Sequence, residues 1–382
     1  MTTVRFDMVQ TVAVAGVVLF LGHAIRQRVG VFERLGIPAP VVGGLVFAAL
    51  AVVLRQAGVA AFQPDMTLQS PLILAWFATV GLGTGFGLLR QADGRLLMLG
   101  LLSGLLALVQ SGAGIGLAAL IGVDPLVGLL SGSITMTGGH AMGAAFGTLL
   151  EHQGELRGAL TMAMILATLG LVAGGLLGGS LATWLVRRRG LVPPDGRADP
   201  PPLPEERAIG LEPARAYGLL TTLTLVLLVI WTGGVLSTWL AGQDIALPGF
   251  IGAMVVALVV RNAVDLTRGV RVNRRAVEDL GAIALSLFLV MAMMSLGSWD
   301  LDALGVPLAV LLATQVLVTG LFASLVTFRA LGGDYDAAIL AGGQFRLGLG
   351  ASPVLPAAMA GVACFNDMTN GIIITTYLNL VR

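Results

Sequence analysis

The chain has 382 residues, of which 56% are hydrophobic and only 11% are charged. That charged share is about half of what soluble domains carry, so the composition excludes an ordinary soluble globule. All basic residues are arginine, and 21 acidic residues nearly balance the 22 arginines, which leaves a net charge of +1 and no electrostatic field for nucleic acid. One cysteine and three widely separated histidines exclude an internal disulfide and the usual zinc-site spacings.

Apolar stretches long enough to cross a bilayer recur along the chain in two sets of five. A hydrocarbon core of roughly 30 Å requires about 20 predominantly apolar residues in a helix. The stretches cover residues 8–25, 38–54, 70–89, 96–122 and 158–186 in the first set, and 217–241, 247–261, 280–298, 303–328 and 355–379 in the second. The sequence therefore predicts an all-α polytopic membrane protein with ten spans.

A polar segment rich in arginine and proline separates the two sets of spans. Its composition is typical of a flexible linker and not of a folded domain. We predict an N-terminal five-span repeat at residues 1–186, a linker at 187–216 and a C-terminal five-span repeat at 217–382.

The distribution of arginine predicts the orientation of the spans. Short loops rich in arginine remain in the cytoplasm, and most of the arginines fall on the cytoplasmic side when both termini are placed outside. With an odd number of spans in each half, the second half then starts from the opposite side to the first. The sequence thus predicts inverted halves in the cytoplasmic (inner) membrane, an arrangement found in many secondary transporters.

Two glycine-rich segments, 124–148 and 334–354, do not fit as simple spans. Each lies between the fourth and fifth span of its half, and aligning Asp124 with Asp334 also superimposes glycines at two further positions. Irregular backbone at membrane depth must line a cavity or lie within protein, because lipid offers no hydrogen-bond partners. We predict one re-entrant loop in each half, entering from opposite sides and forming the substrate site.

Several stretches in and around these segments carry a family resemblance. They are residues 132–140 (GSITMTGGH), 327–329, 334–338 and 348–353, followed by Asp367 and Asn370 in the last span. Together they resemble the bacterial sodium/glutamate symporters, the glutamate:sodium symporter family. The resemblance covers the whole architecture and implies inverted halves, a cytoplasmic linker and two re-entrant loops.

The resemblance also implies a function. It indicates a secondary active transporter, not an enzyme, that couples sodium to the symport of glutamate or a related small carboxylate by alternating access. The expected partners are the substrate, sodium, the lipid bilayer and a second copy of the chain in an elevator-type homodimer. No cofactor is expected beyond sodium as the coupling ion.

Three positions depart from the family pattern. Gln344 stands where a histidine is expected, Arg346 stands where glycine is usual, and Ala141 follows His140 where glycine is typical. These substitutions leave open an alternative, a sodium- or proton-coupled transporter of a different organic anion. A channel or an intramembrane enzyme is less consistent with the sequence, because the polar residues concentrate in two loops and no HExxH or GxSxG motif occurs.

Arg346 has two interpretations, because a guanidinium inside a re-entrant loop must find an anion or a set of acceptors. It could bind a substrate carboxylate with its two-pronged fork. It could instead form a structural ion pair with Asp334, Asp336 or Asp367, or extend its charged end to the cytoplasmic face.

The small hydroxyl and glycine residues of the first loop suit an interrupted helix, whose free N–H groups face an anion and whose free carbonyls face sodium. Helix packing through small residues is the alternative. The predicted substrate-binding residues are Ser133, Thr135, Thr137, Gly138, Gly139, His140, Gln344, Arg346 and Ser352.

Ion binding is predicted at the last span and at the end of the second loop. Asp367 and Asn370 lie three residues apart and so share a helix face. A carboxylate within a span is a functional candidate, although it could also neutralise a neighbouring arginine. The predicted ion-binding residues are Asp367, Asn370, Gly348 and Gly350.

Repeated GxxxG spacings predict close helix packing in the bilayer rather than phosphate binding. The main examples are Gly81/Gly85 and Gly112/Gly116.

Overall fold

The computed structural model describes residues 2–34, 37–85, 94–192, 213–243, 248–267, 273–294 and 305–350, with the isolated residues 371, 374 and 375. The helices of the first half are α1 (Met8–Arg28), α2 (Gly30–Arg34), α3 (Ala39–Gln56), α4 (Gln69–Gly83), α5 (Gly94–Leu120), α6 (Pro125–Leu129), α7 (Gly139–His152) and α8 (Ala159–Arg189). Those of the second half are α9 (Pro213–Ala241), α10 (Gly249–Thr267), α11 (Arg274–Met294), α12 (Gly305–Leu321), α13 (Phe328–Ala330) and α14 (Tyr335–Leu347). Two π-helical turns, Leu130–Ile134 and Phe322–Thr327, follow α6 and α12.

The predicted helical membrane architecture is confirmed in its coarse form. Within the described residues, eight helices are long and apolar enough to cross a membrane, and each coincides with a predicted span. Helix α4 matches the third predicted span but has only 15 residues. The tenth predicted span, 355–379, lies outside the described residues apart from three helical positions.

A short parallel sheet corrects the all-α prediction. Strand β1 (Thr2–Arg5) pairs with β2 (Ala60–Gln63), and the ring of Phe6 stacks on that of Phe62 with 5.8 Å between centroids. Each strand has only four residues, too few for an alternating pattern to stand out in the sequence. The pairing also depends on α1 and α3 bringing distant segments together, so local sequence cannot predict it.

The helices pack as two groups that draw on both halves of the sequence. Helices α1, α3, α4, α9, α10 and α11 form a six-helix group, held chiefly by α4 against α10 and α11 and by α1 against α3. Helices α5 to α8 and α12 to α14 form a loop-bearing group, which contains both interrupted segments. Helix α11 packs on α7 and α8 and so joins the two groups.

Glycines set the distances between helices, as the bilayer environment favours. A Cβ at Gly22 of α1 would lie 2.2 Å from the Ala39 carbonyl oxygen of α3, and one at Gly81 of α4 would lie 2.5 Å from the Met254 carbonyl oxygen of α10. These backbones therefore touch directly, and the packing role predicted for Gly81 is confirmed.

The packing face predicted at Gly112 and Gly116 makes no contact with the described helices. No described atom lies within 4 Å of a Cβ at either position, whereas a Cβ at Gly114 would lie 2.2 Å from the Gly128 carbonyl oxygen. Residues two apart point to nearly opposite sides of a helix. Helix α6 happens to pack on the Gly114 side, which the GxxxG spacing cannot reveal.

Helix α8 continues three residues into the segment predicted as linker. It ends at Gly190, which adopts a left-handed conformation with φ of 61° and so terminates the helix without steric strain. Arg187, Arg188 and Arg189 occupy its last turn, where positive charge interacts favourably with the helix dipole.

Candidate functional site

The first interrupted segment is a helix, a break and a second helix. The Asp124 carboxylate accepts a hydrogen bond of 2.8 Å from the Leu126 N–H and so caps α6, with Pro125 in the first turn. The helix breaks at Gly132, whose ψ of −133° is not helical. Helix α7 then starts at Gly139, where φ is 59°. Pro125 thus lies in the first turn of the segment, and Gly132 and Gly139 lie where its backbone departs from a regular helix.

The second segment begins in the same way. The Asp334 carboxylate accepts a hydrogen bond of 2.8 Å from the Ala337 N–H at the start of α14. Arg95 Nη2 also donates to Asp334 at 2.6 Å, and this hydrogen bond is the main cause that lowers the pKa of Asp334. Helix α14 ends at Leu347 and the chain turns through Gly350, whose φ is 79°.

The tips of the two segments contact each other through glycines. A Cβ at Gly350 would lie 3.3 Å from the Gly139 Cα and 3.3 Å from the Met136 carbonyl oxygen. Both glycines have a positive φ, which strains any residue with a side chain. The backbone conformation therefore favours glycine at both positions, and the close contacts at Gly350 add a steric reason there.

A buried glutamine in α5 bridges the two tips. Gln110 Nε2 donates to the Gly348 carbonyl oxygen at 2.7 Å and to Thr319 Oγ1 at 2.9 Å. Its Oε1 accepts from Thr137 Oγ1 at 2.5 Å. A side-chain amide can form all three bonds because its NH2 group supplies two donors and its carbonyl oxygen is an acceptor. The sequence analysis missed Gln110, although a polar residue within an apolar span was an available signal.

A cavity of about 620 Å³ lies where the six-helix group meets the loop-bearing group. It gathers seven of the predicted site residues from both interrupted segments. They are Thr137, Gly138, Gly139, His140, Gln344, Gly348 and Gly350. The six-helix group contributes residues that the sequence analysis did not select, among them His23, Arg26 and Ser286. None of the lining residues that the structure describes is acidic.

Two helix ends of opposite polarity converge on this cavity. The first turn of α7 lines it, and no side chain caps that helix N-terminus. Free N–H groups and the positive end of the helix dipole favour an anion there. The C-terminal turn of α14, at Leu347 and Gly348, lines the same cavity with the negative end of its dipole, which favours a cation.

His140 is held by a neighbouring helix in a way that indicates its tautomer. Its Nε2 lies 3.0 Å from Thr168 Oγ1. The Thr168 hydroxyl donates to the Met164 carbonyl oxygen at 2.7 Å, so its oxygen is left to accept. The Nε2 therefore donates to Thr168, and in a neutral ring this tautomer leaves Nδ1 as an acceptor.

Gln344 is buried at the cavity wall and hydrogen-bonded on both sides of its amide. Its Oε1 accepts from the Thr327 hydroxyl, and its Nε2 lies 3.4 Å from Ser103 Oγ. The surrounding hydroxyls fix the orientation of the side chain.

Three predicted substrate residues do not line the cavity. Ser133 and Thr135 are fully buried behind it, where Ser133 Oγ lies 2.6 Å from Ser111 Oγ and Thr135 Oγ1 donates to the Leu130 carbonyl oxygen at 2.8 Å. Arg346 is exposed, and its Cβ lies against α8 at Gly178.

The remaining predicted residues, Ser352, Asp367 and Asn370, lie outside the described residues. Within the part of the chain that the structure describes, no group of three or more His, Cys, Asp or Glu side chains is arranged to hold a metal ion.

The apolar spans and the cavity between two helix groups define a multi-pass membrane protein with an internal cavity. Comparison with known proteins identifies which kind. The sequence profile of the sodium/glutamate symporter family matches residues 4–366, and the chain belongs to this family. The predicted family is confirmed, and with it the prediction of a transporter and not an enzyme.

Characterised relatives match over nearly their whole length. The chain is 37% identical to the sodium/glutamate symporter of Escherichia coli (strain K12), over 98% of each sequence. It is 34% identical to the sodium/glutamate symporter of Haemophilus influenzae, over 94% of this chain and 89% of that protein.

Among solved structures, the sodium proton antiporter MjNhaP1 from Methanocaldococcus jannaschii aligns over 98% of this chain and 96% of its own. The identity is 13% and the TM-score is 0.42. A likeness at that level does not establish a shared fold.

Proposed function

We propose that this chain couples the sodium gradient to the uptake of glutamate across the cytoplasmic membrane by alternating access. The family membership and the names of its relatives support this function. The structural observation that carries it is the cavity, where an uncapped helix N-terminus and a helix C-terminus converge and no described lining residue is acidic. Such a site suits a small anion bound together with a cation.

The substrate is proposed to bind at the first turn of α7. One carboxylate accepts hydrogen bonds from the backbone N–H groups at Gly139 and His140, where the helix dipole contributes roughly 0.3–2 kcal/mol. The neutral His140 ring, donating through Nε2 to Thr168, leaves Nδ1 to accept from the substrate ammonium group. Thr137 stays bonded to Gln110 and so keeps the loop in place.

Sodium is proposed to bind near the end of α14. Backbone carbonyls around Gly348 and Gly350 supply the oxygen ligands that a hard cation prefers. Asp367 and Asn370 remain predicted ligands from the last span, and Ser352 remains a predicted substrate contact. Sodium acts here as a coupling ion and not as a resident cofactor.

Gln344 favours a second candidate, a symporter of another small organic anion coupled to sodium or protons. The residue lines the cavity where the family resemblance suggests histidine, and an amide cannot become cationic as histidine can. Arg346 supports this candidate less well, because its exposed side chain does not line the cavity.

We further propose inverted halves, two re-entrant loops, termini outside, and a homodimer in which the loop-bearing group slides against the six-helix group. Two observations support the inverted halves. Each half contributes three helices to the six-helix group, and both interrupted segments begin with a capping aspartate, Asp124 and Asp334. The cavity at the boundary between the groups is consistent with sliding.

Purified protein in liposomes tests the function directly. Under an imposed inward sodium gradient, labelled glutamate should accumulate above its external concentration, and collapse of the gradient should release it. A panel of aspartate, glutamine and small dicarboxylates distinguishes the two candidates. If no carboxylate accumulates under either a sodium or a proton gradient, the proposed transport function is wrong.

A further inference from the structure

Arg26 lines the cavity, and no other arginine and no lysine, aspartate or glutamate is found among its described lining residues. It lies near the end of α1, in the six-helix group, and therefore faces the loop-bearing group across the cavity. Its Nε is buried and has no hydrogen-bond partner among the residues that the structure describes. This Nε is not held by an acceptor among the described residues, and because the side chain lines the cavity, the other N–H groups of the guanidinium can reach an anion there.

The wall beside Arg26 reinforces its positive potential. The N-terminus of α3 lines the cavity at Pro38, Ala39 and Pro40, and no side chain caps it. Two uncapped helix N-termini, those of α3 and α7, thus face one cavity, from opposite helix groups. Pro38 and Pro40 have no N–H, and the Val41 N–H donates to the Pro38 carbonyl oxygen, so α3 contributes chiefly its dipole while Arg26 supplies the hydrogen-bond donors at this wall.

We propose that Arg26 binds the second carboxylate of a dicarboxylate substrate while the α7 N-terminus binds the first. A guanidinium offers parallel N–H donors that match both carboxylate oxygens. This assignment rests on the proposed glutamate function and extends it, because it names the residue that distinguishes glutamate from glutamine. It also joins the two helix groups through the bound substrate, so that substrate binding favours the arrangement in which α1 and α7 face each other.

The test is equilibrium binding of labelled L-glutamate and L-glutamine to purified full-length protein in sodium-containing buffer. In Arg26→Gln, the affinity for glutamate should fall about ten- to a hundredfold, the loss typical of one charge-assisted hydrogen-bonded contact. The weaker affinity for glutamine should change by less than about threefold, because glutamine has no second carboxylate. Arg26→Lys keeps the charge without the fork and should fall between the wild type and Arg26→Gln.

Arg28→Gln is the matched control, since Arg28 lies in the same last turn of α1 but is exposed and does not line the cavity. Its glutamate affinity should equal that of the wild type. Size-exclusion chromatography establishes that each variant is folded, and Arg26→Lys serves as the test if Arg26→Gln is not.

An unchanged glutamate affinity in the Arg26 variants, or an equal loss for glutamate and glutamine, would overturn the assignment. A wild type that binds glutamate but does not accumulate it refutes the symport and leaves the Arg26 comparison valid. A wild type that binds no glutamate refutes both.

Discussion

Gln110 does not line the cavity, but its side chain forms hydrogen bonds to both interrupted segments and to α12. One amide joins Thr137 of the first loop, Gly348 of the second and Thr319 of α12. Each of these contacts is between segments far apart in the chain. These hydrogen bonds help to fix the relative position of the two loop tips, and hence the shape of the cavity.

We predict that Gln110→Leu destabilises the protein and weakens substrate binding together. The substitution removes the acceptor of Thr137 and the donor to Gly348, and each buried group left unpaired costs about 1–3 kcal/mol. The midpoint of thermal unfolding in detergent should fall, and the half-saturating glutamate concentration in liposomes should rise about tenfold or more.

Gln243→Leu provides the control, because Gln243 is an exposed glutamine. That variant should match the wild type in both measurements. A Gln110→Leu protein with wild-type stability and wild-type affinity would show that the bridge is dispensable.

At the scale of elements, the contact between α5 and α6 fixes where the first interrupted segment sits. Gly114 and Gly128 allow the two backbones to touch, since a Cβ on either would lie within 2.3 Å of the other's carbonyl oxygen. Close packing of this kind is how membrane helices gain stability when lipid is as apolar as the helices themselves. The break at Gly132 follows directly after this contact.

We predict that Gly114→Ala and Gly112→Ala differ sharply, although the residues are two positions apart on α5. The alanine at 114 must push α6 away, at a cost of roughly 1–3 kcal/mol or more, and should lower both thermal stability and transport. The alanine at 112 meets no described atom within 4 Å and should be neutral or slightly stabilising. Equal effects of the two substitutions on unfolding and uptake would contradict the observed packing face.

At the scale of the whole molecule, the two halves of the sequence are not the two structural units. The six-helix group and the loop-bearing group each combine helices from both halves, and the cavity lies between them. In the proposed alternating-access cycle, motion of one group against the other would expose the cavity to alternate sides. The loop tips stay together during such a motion, because both belong to the same group.

We predict that the linker and the C-terminus lie on opposite sides of the membrane. In a Cys364→Ser background, a membrane-impermeant maleimide should label Arg382→Cys in intact cells. It should label Asp195→Cys only after permeabilisation. This follows from the positive-inside distribution of arginine. Labelling of both positions from one side would rule out inverted halves.

The sequence by itself determined the class of this protein. Its long apolar stretches located all eight described spans, since a helix of about 20 apolar residues crosses the hydrocarbon core and satisfies its own backbone hydrogen bonds. Its glycine-rich segments indicated the residues that meet at the cavity, because broken helices in a bilayer must face a protein interior. The short motifs were specific enough to identify the family, and the family profile confirms it.

Tertiary structure decided which residues share the site. The sequence does not single out Arg26 or Gln110 as site residues, because Arg26 reaches the site only through the packing of α1, and two of the Gln110 partners lie more than 200 residues away in the chain. Ser133, Thr135 and Arg346 belong to the predicted segments, yet their side chains point away from the cavity, two into packed protein and one to the surface. A motif specifies which backbone reaches the site, whereas the direction of each side chain depends on helix phase and on neighbours that only the fold supplies.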